Sequence, residues 1–159
     1  MLPHADVVLG RWRAEHDWTA RSGLETHVSF RVPIPADVEI TPEAIEPLAD
    51  LLPVRVTLAR LDDRPGALVA LAEPDDDLRR LTARFDRVPR LPPHRNGRPD
   101  LAYHATIVRT EDSEARRHAA HEIGAQLPLT ETVADVCLFE WSARDYLRVV
   151  WRFAPRLVH

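Results

Sequence analysis

The sequence predicts an α+β fold made of two similar halves related by a pseudo-twofold axis. Three observations carry that expectation. Helix-period and strand-period apolar patterns occur together along one short chain. The order helix, histidine-bearing strand, helix, strand, strand runs twice. A histidine followed two residues later by a hydroxyl side chain appears once in each half, at His27-Val28-Ser29-Phe30 and at His104-Ala105-Thr106-Ile107.

The first half opens with a helix over 4–16, where Ala5, Val8, Leu9 and Trp12 fall at the i, i+3, i+4, i+7 positions of one stripe. Residues from His27 to Val32 read as a strand, which Pro33, Pro35 and Asp37 break. Thr41-Pro42-Glu43 is a helix start, with a capping hydroxyl and a proline at the first helical position, and Ile45, Leu48 and Leu52 supply its apolar side. Pro47 lies inside that stripe and argues against a regular helix. Val54, Val56 and Leu58 alternate with Arg55, Thr57 and Ala59 as a half-buried strand does. Asp62-Asp63-Arg64-Pro65-Gly66 then supplies the turn into a second strand over 67–72.

The second half repeats the plan. From about Pro74 a helix is expected, its positive N-terminal dipole met by Asp75, Asp76 and Asp77, with Leu78, Leu81, Phe85 and Val88 along its buried side. Residues 89–100, rich in Pro, Arg and Gly, read as a loop. A strand over 103–109 carries the second histidine, and a helix over 113–127 follows with Ala115, Ala119, Ile123 and Leu127 on one side. Two alternating strands close the chain, over 131–141 and 145–154, with a turn at 142–145. The offset from His27 to His104, 77 positions, carries Val54 onto Glu131 and Ala67 onto Arg144, so each expected hairpin strand finds its counterpart. An internal duplication follows, with one bilobal domain over 1–159 and pseudo-repeats of about 1–73 and 74–159.

Within each motif, strand geometry sends the histidine and the hydroxyl to one face and the two apolar residues to the other. A pseudo-twofold arrangement sets the two histidine strands across a groove.

Composition narrows the chemistry further. The chain has 159 residues, 45% of them hydrophobic, and a formal net charge of -4, which is ordinary for a soluble globular domain. That charge argues against coating a nucleic-acid backbone, DNA included, because such affinity comes from neutralising many phosphates. The basic residues are all arginine. There is no apolar run of membrane-spanning length and no basic-then-apolar leader, so a cytoplasmic home without membrane contact is expected. The single cysteine, Cys137, excludes an internal disulfide and a thiolate metal cluster, and its apolar surroundings point to packing. His118 and His121 have a spacing that can bind zinc, but they lack a third ligand and stand beside Arg116 and Arg117, so no metal is expected. His16, beside Asp17 at the end of the first helix, reads as structural. Trp12 and Trp151 fall on apolar stripes and read as core, whereas Trp18 is the tryptophan expected to be exposed near the first motif.

Together the two tetrapeptides resemble the signature of the two-histidine (2H) phosphoesterase superfamily, in the branch called 2′-5′ RNA ligase-like or RNA 2′,3′-cyclic phosphodiesterase. The resemblance spans nearly the whole chain and departs from the more frequent pattern by having serine, not threonine, in the first motif. It implies two lobes, each an antiparallel sheet backed by helices, with a central cleft that needs no metal and no cofactor. It makes His27 and His104 the catalytic pair and Ser29 and Thr106 the ligands of the phosphate oxygens. Arg31, Arg109, Trp18 and His94 are further substrate-binding candidates, with Arg95 and Arg98 in the same loop as His94. The expected substrate is a small nucleotide or RNA terminus with a 2′,3′-cyclic phosphate, opened to a 2′-phosphate by a monomer, with reverse 2′-5′ ligation open. Another small phosphodiester would need only a different pocket. The rival from another class is a non-catalytic module that binds a nucleotide or an RNA end. The sequence leaves open which histidine is acid and which is base.

Overall fold

A computed structural model describes residues 1–30, 34, 38–88, 102–142 and 146–153. The expected loop over 89–100, with His94, lies outside them, as does Arg31.

Helix α1 spans Pro3–His16 and its N-terminus is capped from across the molecule. Leu2, at the N-cap, offers no side-chain oxygen, and the carboxylate of Glu131 instead accepts the backbone N–H of His4 at 3.1 Å and that of Ala5. A short helix α2, Trp18–Arg21, follows directly. Helix α3 is only Pro42–Ile45, after which the chain tightens into a 3-10 turn over Glu46–Leu51. Pro47 falls in that turn, where it has no backbone N–H to continue an α-helical ladder.

Strands β1 (Val54–Arg64) and β2 (Ala67–Ala72) form the expected hairpin, but β1 runs on through Asp62-Asp63-Arg64 and leaves only Pro65-Gly66 for the turn. Gly66 sits at φ +76°, and a Cβ there would come within 2.9 Å of Glu111 Oε1. Helix α4 (Asp76–Phe85), strand β3 (His104–Arg109), helix α5 (Ser113–Gly124) and strands β4 (Leu129–Val133), β5 (Val136–Ser142) and β6 (Tyr146–Phe153) complete the chain. Asp112 caps α5 by accepting the N–H groups of Glu114 at 2.8 Å and Ala115 at 3.2 Å, and those two bonds hold its carboxyl below the usual range.

The sequence reading placed one strand over 131–141. The chain instead breaks at Ala134-Asp135 into β4, paired with β1, and β5, paired with β6. Asp135 makes the corner, taking Arg152 from β6 and the Met1 ammonium, each at 3.3 Å.

The result is a mixed α+β fold with a curled antiparallel sheet of order β3-β2-β1-β4, backed by helices, and a separate β5-β6 ribbon. The two outer strands, β3 and β4, come from later in the sequence than the β1-β2 hairpin they flank. The strand bearing His104 pairs with a hairpin from before residue 73, while the β5-β6 ribbon from the end of the chain lies against His27. Val54, Val56 and Leu58, with Leu68, Ala70 and Ala72, and with Ala105 and Ile107, make one apolar sheet face. Leu9 and Trp12 of α1, Leu78, Leu81 and Phe85 of α4, and Ala119 and Ile123 of α5 join the same core. Full burial of each large side chain there contributes ~1.5–3 kcal/mol. Trp151 does not join it. It is 39% exposed, beside exposed Val149 and Val150, because β6 is paired on one side only among the described residues. Cys137 is half-buried, and burial raises its thiol pKa. No helix is long and apolar enough to cross a membrane among the described residues.

Candidate active site

The second motif sits as strand geometry dictates. On β3, Ala105 and Ile107 are fully buried on the core face, and His104 and Thr106 stand half-buried on the opposite face. Beneath them in register are Leu71, opposite His104, and Val69, opposite Thr106. These two β2 side chains are also buried, so the face carrying the motif has an apolar floor.

The first motif departs from expectation. Residues 27–30 join no ladder among the described residues, and just before them the backbone of Thr26 is engaged elsewhere: its N–H donates to Asp6 Oδ1 at 2.7 Å and its carbonyl accepts from Leu2 N–H at 2.8 Å. The division of faces nevertheless survives. Val28 and Phe30 pack on the core, Phe30 edge-on to Phe85 with ring centres 5.6 Å apart, while Ser29 is exposed and His27 half-buried against Phe139 at 5.7 Å.

The two imidazoles are held alike. His27 Nδ1 lies 3.0 Å from the carbonyl of Glu25, and His104 Nδ1 lies 3.0 Å from the carbonyl of Ala102, each two residues upstream. A carbonyl only accepts, so Nδ1 carries the proton in both rings and Nε2 keeps its lone pair. Burial lowers the pKa of both. His27 is pushed to about 4, with the Glu25 hydrogen bond and Asp17 opposing the shift and Arg13 adding to it. His104 is lowered in the same way, the Ala102 bond opposing, Arg64 and Arg109 adding, and Asp62 opposing. Both rings are therefore neutral at neutral pH in the free protein.

Two sets of contacts bring the motif segments together, one at each end. At one end Thr82 Oγ1 of α4 lies 3.3 Å from the carbonyl of Phe30, in the first motif, and 2.6 Å from the hydroxyl of Tyr103, the residue before His104. At the other, Arg109 on β3 pairs with Asp17 at 3.3 Å and donates to Thr106 Oγ1 at 3.3 Å. Asp17 is held in turn by Arg13, whose Nη1 donates to Thr26 Oγ1 at 3.0 Å, next to His27. Both links run through intermediary side chains, Thr82 at one end and Asp17 with Arg13 at the other.

Of the side chains singled out from sequence, His27, His104, Thr106 and Arg109 are drawn into this region, and Ser29 lies exposed within the first motif. Trp18 opens α2 half-buried, immediately after Asp17. Four residues were not singled out. Arg13 continues the α1 stripe four positions after Leu9, a place where a buried arginine announces a polar partner. Thr82 looks like an ordinary helix residue. Asp62 and Arg64, assigned to a turn, are in β1: Asp62 stands in the row of Val69 and Thr106, and Arg64 in the row of Ala67 and Arg109. Their signal was the continued alternation of Arg60, Asp62 and Arg64. Among the described residues no cluster of three or more His, Cys, Asp or Glu side chains could hold a metal ion.

A mixed α+β fold with a histidine-hydroxyl pair in each half is the arrangement expected of a two-histidine phosphoesterase. The model of the 2′-5′ RNA ligase superfamily matches residues 2–145, which include both motifs, and the chain belongs to that superfamily. Membership carries phosphodiesterase or ligase-type chemistry as a class. No curated protein matches the chain significantly in sequence.

Proposed function

We propose that the protein opens a 2′,3′-cyclic phosphate, on an RNA end or a nucleotide, to a 2′-phosphate without a metal ion. The observation that supports this reading is the matched pair of imidazoles, each fixed through Nδ1, with no hydrogen bond to Nε2 among the described residues, and each accompanied by a hydroxyl two residues on.

An in-line displacement needs a base for the attacking water and an acid for the departing ribose oxygen. One neutral imidazole takes the water proton on Nε2 as the oxygen bonds to phosphorus. The bond from phosphorus to O3′ breaks, and O3′ takes the proton from Nε2 of the other, protonated imidazole. With an RNA 5′-hydroxyl in place of water the same step yields a 2′-5′ linkage. Ser29 and Thr106 donate to the non-bridging oxygens, where charge grows, and Arg109 adds positive charge beside Thr106. Arg31, Trp18 and His94 remain further candidates for holding the nucleotide.

Both imidazoles start neutral, so the acid's proton must be acquired. A bound phosphodiester anion next to Nε2 favours the imidazolium and raises its pKa, so that substrate and proton bind together. His27, held at about 4 in the free protein, is assigned as the base and His104 as the acid.

The test is incubation of the purified protein, with a chelator present, with each of the four 2′,3′-cyclic mononucleotides, followed by separation of 2′- and 3′-phosphate products. Accumulation of the 2′-phosphate, abolished in His27→Ala and His104→Ala, is expected. Saturable binding without product would favour the non-catalytic module, and activity lost to the chelator would remove the metal-free mechanism.

A further inference from the structure

Asp17 is a carboxylate at the junction of the two motifs that the acid-base pair does not itself use. It is 1% exposed. Its Oδ2 accepts from Thr19 Oγ1 at 2.7 Å and from Arg13 Nη2 at 3.4 Å, and its Oδ1 accepts from the Thr19 N–H at 3.1 Å. These bonds already satisfy a buried carboxylate locally and cap α2. Arg109 supplies something different. It reaches in from a half-exposed position on β3, placing Nε 3.3 Å from Asp17 Oδ1 while its Nη2 donates to Thr106 Oγ1 at 3.3 Å.

Arg13 completes the run. It is 2% exposed and spreads its guanidinium over Asp6, Thr26, Asp17, Thr19 and the carbonyl of Leu24, so the whole connection from α1 to His27 is built around it. Thr106, Arg109, Asp17, Arg13 and Thr26 thus form one unbroken series of polar contacts from the hydroxyl of the second motif to the residue preceding His27.

We propose that Asp17 is a positioning residue: by holding Arg109 it fixes Thr106 and the second motif relative to the Arg13-anchored segment that presents His27. The inference rests on the phosphoesterase reading for its catalytic consequence, and on geometry alone for the coupling. A carboxylate that served only to cap α2 would have no reason to influence His104.

Two experiments decide it. In steady-state kinetics on a cyclic mononucleotide, Asp17→Asn, which keeps size but removes the charge and one of the two accepting oxygens, is expected to lower kcat at least tenfold with KM changed less than threefold. The double variant with Arg109→Gln is expected to be no slower than Arg109→Gln alone, because the carboxylate acts through that arginine. Multiplying losses, or an Asp17→Asn protein that melts earlier with unchanged kcat, would overturn the proposal.

Imidazole NMR of the resting protein is the second experiment and needs no turnover. Asp17→Asn is expected to move the ring resonances of His104 as well as those of His27. Arg109→Gln, which leaves the buried Arg13–Asp17–Thr19 contacts intact, is expected to move those of His27 even if Asp17→Asn does not fold. A variant that perturbs only the nearer histidine overturns the coupling. A wild-type protein that turns over no cyclic phosphodiester while both shifts occur removes the functional reading and leaves the coupling standing.

Discussion

Acidification is the perturbation that most directly exposes the price of keeping His27 neutral. Its pKa is about 4 in the folded protein and about 6.5 when the chain is unfolded, so between those values the unfolded state binds the extra proton. Stability therefore rises with pH through this window and is lost as pH falls from about 6.5 to about 4. The displacement of roughly 2.5 pH units corresponds to about 3–4 kcal/mol at most, less whatever water screens at the open edge of the half-buried ring. That is a large part of the ~5–15 kcal/mol that holds a typical domain together. The assay is urea unfolding at closely spaced pH values from 4 to 8, on the wild type and on His27→Gln, which keeps a polar side chain but does not titrate. The wild-type curve is expected to fall more steeply below pH 6.5, the two curves separating by up to the stated amount. Parallel curves would refute the reasoning, because they would mean that the ring is not desolvated as its packing against Phe139 and the Arg13 network implies.

Other consequences follow from the same contacts. Arg13→Met removes the cation from a buried network and leaves Asp17 without its one buried cationic partner, so a loss of ~3–5 kcal/mol is expected in denaturant unfolding, whereas a change below about 1 kcal/mol would show that the network does not stabilise the fold. Because both free-protein histidines titrate below their ordinary value, kcat/KM for a cyclic mononucleotide is expected to be bell-shaped with its maximum on the acid side of pH 6.5; a maximum above pH 8 contradicts the neutral pair. Binding of inorganic phosphate at pH 7 is expected to take up protons, seen calorimetrically as a binding enthalpy that varies with the ionisation enthalpy of the buffer, and a buffer-independent enthalpy would count against coupled protonation. Thr106→Val, which removes one donor to the phosphoryl oxygens, is expected to slow kcat by ~10²–10³-fold, and an unchanged rate would remove Thr106 from that role.

Much of the candidate site was legible because its parts are local. The alternation in His104-Ala105-Thr106-Ile107 fixes which side chains share a face once the segment is a strand, and β3 is one. The same alternation in His27-Val28-Ser29-Phe30 sorted the side chains correctly even though no ladder forms there among the described residues, since the sorting comes from burial of Val28 and Phe30. What stayed hidden was long-range. Asp6 and Leu2, some twenty residues away, claim the backbone of Thr26, and no local pattern reveals that. The break at Ala134-Asp135, where Asp135 pairs with Arg152 of β6, is likewise marked by no proline or glycine in residues 131–141. Asp62 and Arg64 were given to a turn because aspartate clusters beside Pro-Gly are turn-like, yet Pro65-Gly66 alone closes the hairpin and frees them to face the site. Membership of the superfamily agrees with the motif reading and extends over the parts of the chain that the motifs do not touch.

A crystal structure of the protein soaked in inorganic phosphate tests the central claim most directly. The account predicts one anion within hydrogen-bonding distance of Nε2 on both His27 and His104, with the hydroxyls of Ser29 and Thr106 on its remaining oxygens. Rings that open onto separate environments, or an anion held by one motif without the other, would contradict it.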